Sequence, residues 1–233
     1  ADGKMVTTET DGEKAEVLNS YFAGVFTNED PLSIPGFQDC SGSQVLAELD
    51  ISRQQITDKI NKLKVDKSPG LDGVHPRVLF ELKNEISEPL HIIFRNSMEK
   101  GKLSKEWKMA NITALYKEDD KTLPGNYRPI SLTSILCKLL ESILSDHIVG
   151  YMKSNKLFNN NQYGFLKGRS TSLLLLKVMD EWTKILDDGG SVDVIYTDFS
   201  KALDTVPHGR LLSKLLGYGI QGKVLSWIGV FLT

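Results

Sequence analysis

Cysteine is almost missing from this sequence: Cys40 and Cys137 are the two in 233 residues, far apart and in no metal-ligand spacing. That excludes a disulfide framework and cysteine-based zinc modules, and the pair is expected to be reduced, in an intracellular protein. Histidine is also sparse. His75, His91, His147 and His208 are scattered and form no metal set. No apolar run approaches the ~18 residues that span a bilayer, so no membrane helix is expected. The opening "ADGKMVTTETDGEK" is polar and acidic, so it is not expected to be a signal peptide. Glycines occur, as in "SPGLDGV", but in no phosphate-loop pattern, and there is no internal repeat. A helix stop signal is missing after "VLSWIGVFLT", and the first residue is Ala1. The chain is therefore expected to be an interior piece of a longer protein.

What is present is an ordinary globular composition, 40% hydrophobic and 25% charged, enough to bury a sizeable core in one large domain or two smaller ones. The net charge of −2 hides a gradient. Residues 1–50 hold two Lys/Arg against ten Asp/Glu, whereas residues 95–170 hold thirteen against seven. The basic middle is where a polyanion would be met; a solvated face rich in lysine explains the same numbers.

Helical periodicity marks 13–27, with Val17, Leu18, Tyr21, Phe22 and Val25 on one face. Residues 28–50, rich in Pro, Gly, Ser and Asp, predict a loop or linker. Ser52 is a candidate N-cap for a helix carrying Ile56, Ile60 and Leu63. After the breaker "DKSPGLDGVHP", one helix is expected over 76–100, ended by Gly101. Alternation predicts strands at 107–117 and 127–132, the second confined to an edge by Pro129. Amphipathic helices follow over 133–149 and 171–187. A strand is expected over 192–197, then a short helix after Pro207. The fold class is α+β, mainly helical with a few strands.

The stretch "SVDVIYTDFSKALDTV" sharpens the chemistry. Val192, Val194, Ile195 and Tyr196 suit a central strand covered on both faces, and Asp198 stands at its open end. An acid there is most often a helix cap or turn former. On a rigid strand end it can instead hold a hard cation. Asp193, five residues earlier, points to the opposite face and cannot share that cation. Asp204 is expected to cap the helix after Pro207. A two-cation site needs further acids from another strand.

These residues resemble a family. "YTDFSKALDTVPHGRLL" is similar to the first catalytic motif of the reverse transcriptases of non-LTR (LINE-type) retrotransposons, especially the jockey and CR1 group. "KSPGLDGVHPRVL", "WKMANITALYKEDDKTLPGNYRPISLTSILCKLLESIL" and "NQYGFLKGRST" resemble its fingers and following blocks, in the right order, over roughly residues 13 to 233. The resemblance implies a truncated right-hand polymerase: an acidic N-terminal helix and linker (1–50), fingers with the start of the palm (51–170) and a partial palm (171–233).

It implies Asp198 as the first catalytic, metal-binding acid, with the Phe199 backbone carbonyl beside it. Mg²⁺, or Mn²⁺ in its place, would be the cofactor of the full-length protein. RNA template, DNA primer and dNTP would be its partners, with no membrane and no evident protein partner. Nucleus and cytoplasm are the locations it implies, and an endonuclease domain before residue 1 would fit. The Tyr/Phe-x-Asp-Asp tetrapeptide that supplies the family's remaining acids is absent from this sequence, so the piece alone is expected not to polymerise. The alternative is a non-catalytic RNA-binding relic or scaffold module.

Lys117 and Arg128 flank a polar loop between two strands. Locally they are surface cations beside "EDD"; the resemblance implies a grip on the nucleotide triphosphate. Tyr163 and Phe165 beside Lys167 and Arg169 suit single-stranded nucleic acid through stacking and charge, or are core aromatics beside solvated cations. Leu203 stands where the family usually carries a phenylalanine against the sugar 2′ position.

Overall fold

A computed structural model describes residues 8–37 and 44–232. Cys40, the middle of the 28–50 loop and the first seven residues lie outside the described residues. The fold is mostly helical with a small antiparallel two-stranded sheet. Among the described residues, no helix is long and apolar enough to cross a membrane.

Helix α1 spans Asp11–Ala23, opened by a Thr10/Glu13 capping box. Helix α2 spans Arg53–Asn61 and starts as its sequence predicts: Gln55 N–H donates to Ser52 Oγ (3.2 Å), and Ser52 N–H donates to Gln55 Oε1 (2.8 Å). The helix expected over 76–100 is two helices, α3 (Pro76–Glu81) and α4 (Lys83–Lys100). They part at Leu82 (φ −98°, ψ 17°), whose carbonyl accepts from Glu85 and Ile86 N–H as the N-cap of α4. Gly101, at φ 58°, closes α4 in the left-handed region that glycine tolerates.

Strands β1 (Ala110–Tyr116) and β2 (Tyr127–Thr133) form a hairpin in register Ala110↔Thr133 to Tyr116↔Tyr127. A sheet of two strands has only edges, so Pro129 costs no central ladder bond. Helix α5 (Ile135–Ser154) follows directly, capped by Ser134. Gly70, from the turn before α3, is buried against this junction. A Cβ on it would lie 2.3 Å from the Thr133 carbonyl oxygen and 2.8 Å from Ser134 N. The missing side chain lets the turn sit on the hairpin's last residue.

The core lies among α2, α4, α5 and α8 (Gly222–Leu232). Ile56, Ile60, Phe94, Leu140, Ile143, Val224 and Trp227 are its buried centre. Trp227 Nε1 donates to Ser97 Oγ at 3.0 Å, so the largest core side chain leaves no polar atom stranded. Residues 44–51 return to this core: Leu46 bridges Ile220, its N–H donating to the Gly219 carbonyl (2.9 Å). Cys137 is buried there too, and burial, helped by the Glu141 carboxylate, pushes its thiol far up, making it unreactive.

Helix α6 (Thr171–Asp187) matches its expected bounds but has no buried residue. Leu173, Leu175, Leu176, Met179, Ile185 and Leu186 are exposed. The strand expected over 192–197 is not formed. These residues are extended without a ladder, and Ile195 is 88% exposed. A strand needs a neighbour for its N–H and C=O groups, and no described segment runs alongside. Helix α7 (His208–Gly217) then leads back to the core through Leu212 and Leu215.

Candidate nucleic-acid and catalytic site

Asp198 is exposed and makes no hydrogen bond or ion pair among the described residues. It is neither buried nor the cap of a helix. Phe199 (80% exposed) and Leu203 (80%) are equally open. Between them the chain turns at Lys201, φ 49°, whose carbonyl accepts from Asp204 N–H (3.0 Å) and Thr205 N–H (3.1 Å). Among the described residues no group of three or more His, Cys, Asp or Glu could hold a metal ion. The residues present therefore do not make a cation site by themselves; Asp198 offers one free carboxylate.

Asp204 does not cap α7, as its place before Pro207 suggests. Proline 207 is the N-cap, and the caps come from Glu29. Its carboxylate accepts from Gly209 N–H (2.7 Å) and Arg210 N–H (3.2 Å), and Arg210 Nε lies 3.2 Å away. Glu29, 13% exposed, is the residue that sequence reasoning missed. It sits in a stretch expected to be linker, and no local pattern links it to a helix some 180 residues on.

The hairpin brings Lys117 and Arg128 to one face. Arg128 pairs with Leu115, and the ladder continues as Lys117 N–H donates to the Asn126 carbonyl (2.8 Å), which puts Lys117 on the side of Leu115. Both cations border Glu118. The Lys117 ammonium, with a smaller contribution from Arg128, holds that carboxyl below its usual range. The connecting loop is braced: Tyr127 Oη donates to the Lys121 carbonyl (2.8 Å), and the Tyr116 and Tyr127 rings meet at 5.7 Å.

In the 159–170 loop the four candidates divide. Arg169 Nη1 donates to the Asn160 carbonyl and to the Gln162 carbonyl (2.8 Å), and its guanidinium lies 5.0 Å from the Tyr163 ring centroid. Arg169 and Tyr163 thus brace their own loop. Phe165 is not a core aromatic: it is 97% exposed at φ 61°, a left-handed conformation that a bulky residue rarely adopts. Lys167 is exposed beside it. A cleft of about 550 Å³ lined by Glu48, Asp50, His91, Arg95, Glu99 and Lys223 contains none of the sequence-predicted residues.

The sequence profile described as "Reverse transcriptase (RNA-dependent DNA polymerase)" matches residues 115–232, just over half of the chain. The chain belongs to the reverse transcriptase family. Both cation-bearing hairpin residues and the Asp198 segment fall inside the matched span. Relatives agree. The "Probable RNA-directed DNA polymerase from transposon BS" of Drosophila melanogaster is 30% identical over 70% of this chain and 18% of its own length. The "Putative 115 kDa protein in type-1 retrotransposable element R1DM" of the same species is 27% identical over 94% of this chain and 20% of its own length. The "Retrovirus-related Pol polyprotein from type-2 retrotransposable element R2DM", also of that species, is 24% identical over 95% of the chain and 20% of its own. The resemblance is thus to reverse transcriptase domains of non-LTR retrotransposons of the jockey, R1 and R2 kind. The chain spans about a fifth of the length of these relatives.

Proposed function

We propose that this chain is the fingers and part of the palm of an RNA-directed DNA polymerase of a non-LTR retrotransposon, of the jockey and CR1 group. The reaction of the whole protein is dNTP addition to a primer on an RNA template. Residues 51–170 are the fingers with the start of the palm, and 171–233 are partial palm. The observation that carries the reading is Asp198: an exposed acid with no hydrogen-bond or ion-pair partner among the described residues, inside the span that matches the family. Exposure alone is what any solvated surface acid shows; the place of Asp198 in the family-matched segment, at the end of an apolar stretch, is what favours chemistry over a surface role.

Asp198, with the Phe199 carbonyl, supplies one corner of a divalent-cation site for Mg²⁺ or Mn²⁺; the other ligands are not among the described residues. The uncovered apolar side of α6 and the unladdered 192–197 segment favour the same reading, since both are surfaces that further palm strands would cover. Lys117 and Arg128 grip the triphosphate from one hairpin face. Phe165 and Lys167 meet the nucleic acid, while Tyr163 and Arg169 hold the loop that presents them. Nucleus and cytoplasm are the matching locations.

The test is template-primer extension by the gene product that contains this chain, against the 233 residues alone. Mg²⁺-dependent synthesis by the gene product and none by the piece is expected. Robust synthesis by the piece alone contradicts the partial-palm reading. Leu203, in place of an aromatic sugar gate, should weaken the exclusion of ribonucleotides. Leu203→Phe should then raise dNTP over rNTP preference, and equal preference in both versions removes the gate. The second reading, an RNA-binding module without catalysis, is favoured by salt-sensitive RNA binding with no extension in either form.

A further inference from the structure

We infer that residues 21–36 are a clasp that positions the segment following Asp198, so that the functional unit begins long before residue 115, where the family match starts. The positioning role rests on the reading of Asp198 given above.

Two stretches of chain are joined in matching order. Lys201 Nζ donates to Tyr21 Oη (2.6 Å) and lies 4.1 Å from the Tyr21 ring centroid. Thr27 Oγ1 donates to the Thr205 carbonyl (2.8 Å). Glu29 receives the Gly209 and Arg210 amides, and Ser213 Oγ donates to the Pro35 carbonyl (3.4 Å). Residues 21, 27, 29 and 35 thus hold 201, 205, 209–210 and 213 in succession. One chance contact does not produce that order.

The chemistry of each point suits a fixed join. The first amides of a helix have no partner within it, and a carboxylate there satisfies two of them while facing the positive end of the helix dipole. Gly209 is part of the fit: a Cβ would stand 2.5 Å from Glu29 Oε2 and 2.7 Å from Ile34 Cδ1. Tyr21 also reaches the hairpin loop, since a Cβ on Gly125 would lie 3.1 Å from its hydroxyl. The same tyrosine therefore touches the loop between Lys117 and Arg128 and the turn three residues after Asp198. The clasp ties together the two places assigned to nucleotide and cation.

Hydrogen exchange on this chain tests it, with Glu29→Ala, Gly209→Ala and the double variant. Glu29→Ala should speed exchange over 200–212 by about fivefold or more, the worth of a lost cap, and leave α4 and α5 amides unchanged. Gly209→Ala separates a clasp from a merely flexible region. Helix propensity alone predicts that alanine slows exchange in α7 by about fivefold. With the clasp, the new methyl evicts Glu29, so the slowing should fail in the parent chain and appear only alongside Glu29→Ala. Unchanged exchange in Glu29→Ala, or equal slowing by Gly209→Ala in both backgrounds, overturns the clasp. For positioning, Glu29→Ala in the gene product should lower kcat at unchanged KM for dNTP, with partial rescue by Glu29→Gln, which keeps one acceptor oxygen. An inactive parent gene product would sink the polymerase reading and the positioning role, while exchange still decides the clasp.

Discussion

The packed centre formed by α2, α4, α5 and α8 and the open stretch from α6 to Leu203 are built from similar residues with opposite outcomes. Leucine and isoleucine on α5 are buried at Leu139, Leu140, Ile143 and Leu144; on α6 they are exposed at Leu173, Leu175, Leu176 and Ile185. Both helices are amphipathic and both are capped by a serine, Ser134 and Ser170. The difference is therefore not local propensity but the presence of a facing element. One region supplies the stability of the chain, and the other carries Asp198 and adds little to it.

That contrast can be broken by substitution. The largest effect is expected in the packed centre. Trp227→Ala should cost about 3–5 kcal/mol by leaving a cavity and freeing Ser97, whereas Leu176→Ser on α6 should stay within about 0.5 kcal/mol. Denaturant melts of both variants measure it, and equal losses would mean that α6 is packed in solution. Next, Gly70→Ala should cost about 1–3 kcal/mol, because the methyl meets backbone at the β2–α5 junction and neither partner can rotate away. A smaller effect concerns the hairpin. Replacing Lys117 and Arg128 together by alanine should raise the KM for dNTP in primer extension by the gene product about tenfold or more, without shifting the melting temperature of this chain. A KM unchanged by the pair would make them ordinary surface cations.

The smallest effect is electrostatic. Glu118 titrates below its ordinary 4.5, chiefly through the Lys117 partner. A lowered folded-state value favours the fold at pH above the ordinary value, and that gain disappears as the pH falls through the folded-state value. The pair is exposed, so the stability change is slight. An NMR titration should find the Glu118 carboxyl returning toward 4.5 in Lys117→Ala.

Much of the fold was legible where the cause is local. Ser52 announces a helix start because a short hydroxyl side chain can take an orphan amide. The bounds of α6 and the existence of the β1–β2 hairpin followed from periodicity and from the turn residues between the strands, although β1 begins at Ala110 and not at 107, where a 3₁₀ turn over Lys105–Lys108 buries Trp107. Long-range causes were not legible. The helix expected over 76–100 breaks at Leu82, where the apolar pattern continues unbroken. The stretch 192–197 has the composition of a covered strand, but composition cannot supply the neighbouring strand. Asp204 looked like the cap of α7, and the acid that does this, Glu29, is identified only by the folded chain. Asp198 was legible as an acid out of place on an apolar segment, and it has no hydrogen-bond or ion-pair partner among the described residues. Phe165 gave no hint of its left-handed backbone, since aromatic residues so rarely adopt it.

The most direct measurement compares Asp198→Ala with the parent, reading primer extension by the gene product and thermal unfolding of this chain. Loss of extension by roughly 10³-fold or more with an unchanged melting temperature is predicted, because Asp198 is exposed and makes no hydrogen bond or ion pair among the described residues. Undiminished extension, or a clear drop in melting temperature, would contradict the assignment of that carboxylate to chemistry.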